Sequence, residues 1–212
     1  MEVGWSVREL IFGGTFDPIH IGHLLAAEQA VSLYKFNKVI FVPAGNPWMK
    51  SSNIESAFHR LNMIKLAISS NPAFVVSDVD IQRRGPTYMI DTLADLNKGD
   101  QQNKPCILMG SDILNDIQKW HRYEDLIKSS QFFVMERPGF SKKGVGLLKK
   151  ELISMGLQIN MVDGDFIEIS AKEIRQKISK GLSLRSLVPK SCLLYTSPSP
   201  RDLSTSRMPS SA

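Results

Sequence analysis

Residues 9–23 read Glu9-Leu10-Ile11-Phe12-Gly13-Gly14-Thr15-Phe16-Asp17-Pro18-Ile19-His20-Ile21-Gly22-His23. A short, mostly apolar run stops at two glycines, and a helical pattern follows. Leu24, Leu25, Ala27, Ala30, Val31 and Tyr34 recur at helical spacing, so 21–34 reads as a helix. Lys38-Val39-Ile40-Phe41-Val42 is then a compact strand ending at Pro43. The helix between the two strands is long enough to be a crossover, which makes the strands parallel neighbours.

The alternation continues along the chain. Ala44 to Glu55 is a loop, and Ser56 caps a helix over 57–69. Strands are expected at 74–76, 106–109, 132–135 and 158–162, and helices at 87–96, 112–120 and 170–179. Repeated β-α units imply an α/β fold, a doubly wound parallel sheet covered on both faces, in a single domain. That domain is expected to span 1–190. From Ser191 the chain reads SCLLYTSPSPRDLSTSRMPSSA, rich in Ser and Pro and without periodicity. Such a segment cannot bury enough surface to fold, and 191–212 is expected to be a disordered, non-native tail.

Composition narrows the function classes. Apolar residues make up 42% of the 212 and charged residues 22%, which is globular usage. The net charge of +5 suits anionic small-molecule substrates and is too small and scattered to argue for nucleic acid. No apolar run approaches a membrane span. Cys106 and Cys192 do not form a disulfide framework, so a reducing cytoplasm is the expected compartment. Composition gives no oligomeric state.

The segment from Gly13 to His23 lies between the first strand and the first helix, where α/β sheets place their ligands. Gly13 and Gly14 let the backbone approach an anion closely. The helix start offers unpaired N–H groups and the positive end of the dipole. His20 and His23, three apart, face the same way on a first helical turn and can donate to phosphate oxygens. Two histidines could instead bind metal, but no third ligand follows at a suitable spacing, and no metal-ligating residue is assigned. Neither G-x-G-x-x-G nor G-x-x-x-x-G-K-[ST] occurs.

The run G-T-F-D-P-I-H-I-G-H resembles the signature of the nucleotidylyltransferase superfamily, with its T/HxGH motif and Rossmann-like fold. In this spelling it is most similar to bacterial nicotinate mononucleotide adenylyltransferases. The resemblance implies transfer of the adenylyl group of ATP to nicotinate mononucleotide, giving nicotinic acid adenine dinucleotide and pyrophosphate in NAD biosynthesis. The implied partners are ATP, with Mg²⁺, and the mononucleotide, with neither nucleic acid nor membrane involved.

Other segments extend the resemblance over 7–190. Val42-Pro43-Ala44-Gly45-Asn46-Pro47-Trp48-Met49-Lys50 is similar to the family's V-P-A-x-x-P-P-H-K loop, with Trp48-Met49 in place of Pro-His. Lys50 would touch phosphate; alone it reads as a solvated charge. Arg83 to Leu93 resembles R-x-G-x-S-Y-T-x-D-T-L, which puts Thr87 and Tyr88 at the nicotinate carboxylate. Gly110-Ser111-Asp112 followed by Trp120 resembles a G-x-D…W pattern, with Gly110 and Asp112 on ATP and Trp120 stacked on the pyridine ring. Taken by itself, Trp120 reads as core. Arg137, in Glu136-Arg137-Pro138-Gly139, is grouped with the mononucleotide. Ile169 to Arg175 resembles I-S-S-T-x-I-R, which puts Ser170 and Arg175 on the ATP phosphates, while Ala171 and Lys172 stand where Ser and Thr are usual.

The implied ATP set is therefore Gly13, Gly14, Thr15, Phe16, Gly110, Asp112 and Ser170, with His20, His23, Lys50 and Arg175 catalytic. Two rival readings remain: a catalytically impaired nucleotide-binding module, and a related adenylyltransferase using pantetheine phosphate.

Overall fold

The computed structural model describes residues 8–49, 54–96, 104–114, 116–135, 150–164, 167 and 169–193. Its centre is a six-stranded parallel sheet in the order β3-β2-β1-β4-β5-β6. The strands are β1 (Glu9–Gly14), β2 (Lys38–Pro43), β3 (Phe74–Val76), β4 (Cys106–Gly110), β5 (Gln131–Met135) and β6 (Gln158–Val162). This is the Rossmann-like doubly wound arrangement. The order turns back between β1 and β4, which leaves a crevice at their carboxyl ends.

The helices are α1 (Ile21–Tyr34), α2 (Ala57–Ile68), α3 (Val79–Gln82), α4 (Met89–Leu96), α5 (Ser111–Leu114), α6 (Tyr123–Ser129) and α7 (Ala171–Ser179). Strand residues alternate between two apolar clusters, as the period of two requires. Leu10, Phe12, Val39, Phe41, Leu108 and Phe133 pack on the side of α1, α2 and α7. Ile11, Val42, Ile107, Met109, Phe132 and Val134 pack on the side of α4, α5 and α6. Ala26, Ala27 and Ala30 are fully buried, and their small side chains let α1 lie close to the sheet.

Several boundaries differ from expectation. The helix expected at 87–96 starts at Met89, because Thr87 and Tyr88 are held in loop geometry by contacts described below. The helix expected at 112–120 is broken into α5 and a 3-10 turn at Ile117–Lys119, and Trp120 leaves that turn extended. The short α3 and α6 were not foreseen.

The domain also extends past Lys190. A 3-10 turn spans Lys190–Cys192, with Ser191 Oγ donating to Leu66 O at 2.9 Å and Cys192 Sγ to Met63 O at 3.4 Å. Cys192 is fully buried, so the boundary drawn at 190 falls too early. The rest of the expected tail, from 194, lies outside the described residues, as do Lys50 and Arg137. Cys106 and Cys192 are both buried thiols. Among the described residues, no helix is long and apolar enough to cross a membrane.

Candidate active site

β1 delivers Gly13 and Gly14 to the crevice, in register with Val42 and Pro43 of β2. Ala44 N–H then donates to Gly14 O at 2.9 Å, closing the strand ends together. Thr15 and Phe16 form the turn, and Phe16 adopts a left-handed φ of 49°. The Phe16 ring is buried against Phe12, Phe41 and His23, so its side chain is core and only its backbone faces the loop. That turn sets up the entry into α1.

His20 is the N-cap of α1, extended at φ −142° and ψ 168°. Its backbone N–H donates to His23 Nδ1 at 3.2 Å, and the two rings stack with centroids 3.6 Å apart. Because Nδ1 accepts, the proton of a neutral His23 resides on Nε2 and makes that atom a donor. The pair expected from the spacing is therefore assembled at a helix N-terminus, where an anion is favoured.

Ser170 caps α7, its Oγ accepting from Glu173 N–H at 3.1 Å. Arg175, one turn on, donates from Nη1 to Asp17 O at 2.5 Å and lies 3.5 Å from Asp17 Oδ2. This contact joins α7 to the loop between β1 and α1. Ile21 N–H donates to Leu187 O at 2.9 Å and ties the C-terminal segment to the same turn. Arg175 is thus joined to the loop that leads into the histidine pair, and Ser170 stands one turn before it at the start of the same helix. Lys172 is exposed on the first turn of α7.

Gly110 ends β4, and Asp112 lies in the first turn of α5 at the other lip of the crevice. Thr87, Tyr88 and Trp120 form a second group beside it. Asn46 N–H donates to Thr87 Oγ1 at 3.0 Å and Thr87 N–H to Asn46 O at 2.9 Å. Tyr88 stacks on His121 with centroids 4.4 Å apart, and Trp48 lies 6.0 Å from Tyr88. Trp120 Nε1 is buried without a hydrogen-bond partner among the described residues. Met89, first residue of α4, approaches Gly13 so closely that a Cβ there would lie 2.5 Å from its Cε. The two groups therefore flank one crevice.

Sequence reasoning missed the supports of this second group. Gly85 has φ 93°, open to glycine and costly for other residues, and turns the chain into Thr87. Arg83 bridges Asp80 and Asp95, and Thr92 Oγ1 donates to Asp80 at 2.7 Å. Burial pushes the Asp80 carboxyl up, against the pull of Thr92 and Arg83. A Cβ on Gly45 would lie 2.1 Å from Asp80 O, so the loop after β2 passes α3 only as glycine. Arg60 was missed as well, although it falls on the apolar stripe of α2 with Met63, Ile64 and Ala67, where a charge is out of place.

Residues 11–177 match the cytidylyltransferase-like family. A probable nicotinate-nucleotide adenylyltransferase of Herpetosiphon aurantiacus is 38% identical over 187 residues, spanning 87% of this chain and 93% of that protein. One from Mycobacterium tuberculosis is 37% identical over 193 residues, spanning 88% and 87% respectively. Among solved structures, the Plasmodium falciparum nicotinic acid mononucleotide adenylyltransferase complexed with NaAD gives a TM-score of 0.72 at 19% identity, over 90% of this chain and 94% of its own. At that identity the likeness is one of fold. The chain belongs to the cytidylyltransferase-like family and, within it, to the nicotinate-nucleotide adenylyltransferases.

Proposed function

We propose that the protein transfers the adenylyl group of ATP to nicotinate mononucleotide, releasing pyrophosphate and forming nicotinic acid adenine dinucleotide. The observation that carries this reading is the Arg175–Asp17 contact, between residues 158 apart in sequence. It ties a guanidinium on α7 to the loop between β1 and α1 that leads into the two histidines, so donors suited to phosphate oxygens gather at the switch point of the sheet.

The 5′-phosphate of the mononucleotide is ionised at neutral pH and needs no general base. One of its oxygens attacks the α-phosphorus of ATP, the new P–O bond forms, and the bond to the β-phosphate bridging oxygen breaks. Catalysis is then in-line positioning plus neutralisation of the charge that accumulates on pyrophosphate. His20, His23, Lys50, Ser170 and Arg175 take the triphosphate, with backbone N–H groups of the 13–16 loop. Gly110 and Asp112 take the nucleoside end. Thr87, Tyr88, Trp120 and Arg137 take the mononucleotide, with Trp120 against the pyridine face.

The donors around the phosphate loop are imidazoles and a guanidinium, which suit phosphate oxygens and not a hard cation. A Mg²⁺ ion bound to the triphosphate would supply charge neutralisation there, while His20, His23 and Arg175 would hold the phosphate oxygens themselves.

Pyrophosphate release is the test, with ATP and Mg²⁺ and in parallel nicotinate mononucleotide, nicotinamide mononucleotide and pantetheine phosphate. Release with nicotinate mononucleotide, abolished by chelation, is expected. Tight ATP binding with no release from any acceptor would overturn the reading in favour of a binding module. Release with pantetheine phosphate alone would transfer it to the related enzyme.

A further inference from the structure

Arg60 has a place in the molecule that its position in α2 does not require. Its neighbours on the inner face of the helix, Leu61, Met63 and Ile64, are apolar, and its own side chain is 1% exposed. Burying a guanidinium is costly unless its donors are used. Here they are used on backbone carbonyls. Nε donates to Glu55 O at 2.9 Å, Nη1 to Thr15 O at 2.6 Å and Nη2 to Ala44 O at 2.6 Å. Burial lowers the Arg60 pKa, and the Asp17 carboxylate works against that shift. Asp17 is also the residue that holds Arg175.

The three carbonyls belong to three different segments. Glu55 precedes α2, Thr15 is in the loop between β1 and α1, and Ala44 opens the segment that runs from β2 toward Lys50. Only the first of these contacts concerns the helix itself. The other two fix peptide planes in the loops that converge on the crevice. A trans peptide sets its C=O and N–H antiparallel. Holding Thr15 O on Arg60 therefore turns the Phe16 N–H to the opposite side of the loop, and holding Ala44 O does the same for the Gly45 N–H. Phe16 itself has a left-handed φ of 49°, a turn conformation uncommon for a bulky residue.

We infer that Arg60 is a positioning residue for adenylyl transfer: its buried fork locks the Thr15 and Ala44 peptides together, so that donors from both loops meet the triphosphate in one fixed arrangement. The inference rests on the proposed function. It concerns turnover rather than acceptor affinity, since the acceptor contacts lie on the 83–88 loop and around Trp120, which Arg60 does not touch.

Lysine keeps the charge at this position and loses the planar fork. The test compares the wild-type chain with Arg60→Lys and Arg60→Gln in steady-state pyrophosphate release, with melting curves and circular dichroism alongside. Ile64→Val, one turn along α2, fully buried in the apolar core and without a hydrogen-bonding side chain, controls for lost stability alone. For Arg60→Lys, kcat should fall about 10- to 100-fold, the cost of misplacing reacting groups by roughly an ångström. Its KM for nicotinate mononucleotide should stay within about twofold. Ile64→Val should keep kcat.

Arg60→Lys turning over at the wild-type rate would overturn the inference while leaving the proposed function standing. So would an equal loss of kcat in Ile64→Val. Failure of both Arg60 variants to fold would assign the residue to the fold alone and overturn it too. A wild-type chain that releases no pyrophosphate removes the proposed function, and the inference with it.

Discussion

Asn46 and Thr87 exchange two hydrogen bonds, at 3.0 Å from Asn46 N–H to Thr87 Oγ1 and 2.9 Å from Thr87 N–H to Asn46 O. Two loops that leave the sheet at different strands are joined by this pair. Thr87→Val removes the acceptor, keeps the shape and leaves the Asn46 N–H unmatched. One net hydrogen bond is about 1 kcal/mol. The variant should therefore raise KM for nicotinate mononucleotide by roughly three- to tenfold, with a smaller effect on KM for ATP. Equal changes in both constants would show that the pair does not serve the acceptor side.

In the proposed reaction His23 would combine a structural contact with a catalytic one, and the two can be separated. Its Nδ1 accepts from His20 N–H, which makes Nε2 the donor. In His23→Ala the cap contact costs about 1 kcal/mol. Losing a donor that acts on developing charge costs far more, so turnover should fall by tens-fold or more, toward about 100-fold. Circular dichroism should be unchanged. Near-normal turnover by this variant would sink the assignment of the loop to phosphate.

Local pattern made much of this site legible. The change from period two to helical period across Gly13-Gly14 located β1 and α1, and the strand–helix junction located the histidine pair. Legibility failed where tertiary contacts overrode propensity. Thr87 and Tyr88 carry a helical pattern, yet Asn46 and His121 hold them outside α4. Arg60 stands out of place on the apolar stripe of α2, and what it holds shows only once the Thr15 carbonyl, 45 residues away, is folded onto it. The tail boundary failed for a related reason. Composition is averaged over many residues, while Ser191 and Cys192 are held by two specific carbonyls of α2.

Both thiols bear on alkaline stability. Burial pushes the Cys106 and Cys192 thiols up from their ordinary value. In the unfolded chain they ionise near about 8.5. The folded protein therefore holds more protons once the pH passes that value. Stability is fully present below it and is lost as pH rises toward the folded pKa values. The urea midpoint should fall between pH 8 and 10, and fall less steeply in a Cys106→Ala/Cys192→Ala variant. Parallel slopes for the two proteins would show that the thiols do not carry the effect.

Where the folded unit ends can be settled by truncation. Ser191 and Cys192 donate to Leu66 O and Met63 O, and Leu193 packs against the same apolar cluster. These carbonyls lie in the last turns of α2, the helix that carries Arg60 at its other end. A chain cut after Lys190 loses two hydrogen bonds and exposes the surface beneath Cys192. At about 1 kcal/mol for each bond and a further ~1 kcal/mol for the buried side chain, it should be about 2–3 kcal/mol less stable than a chain cut after Leu193. With a urea slope of roughly 2–3 kcal/mol/M, the midpoint should drop by about 1 M. Turnover at low temperature should survive, because the bonds lost are to Leu66 O and Met63 O and not to a residue proposed for the site. Coincident unfolding curves for the two truncations would return the domain boundary to Lys190.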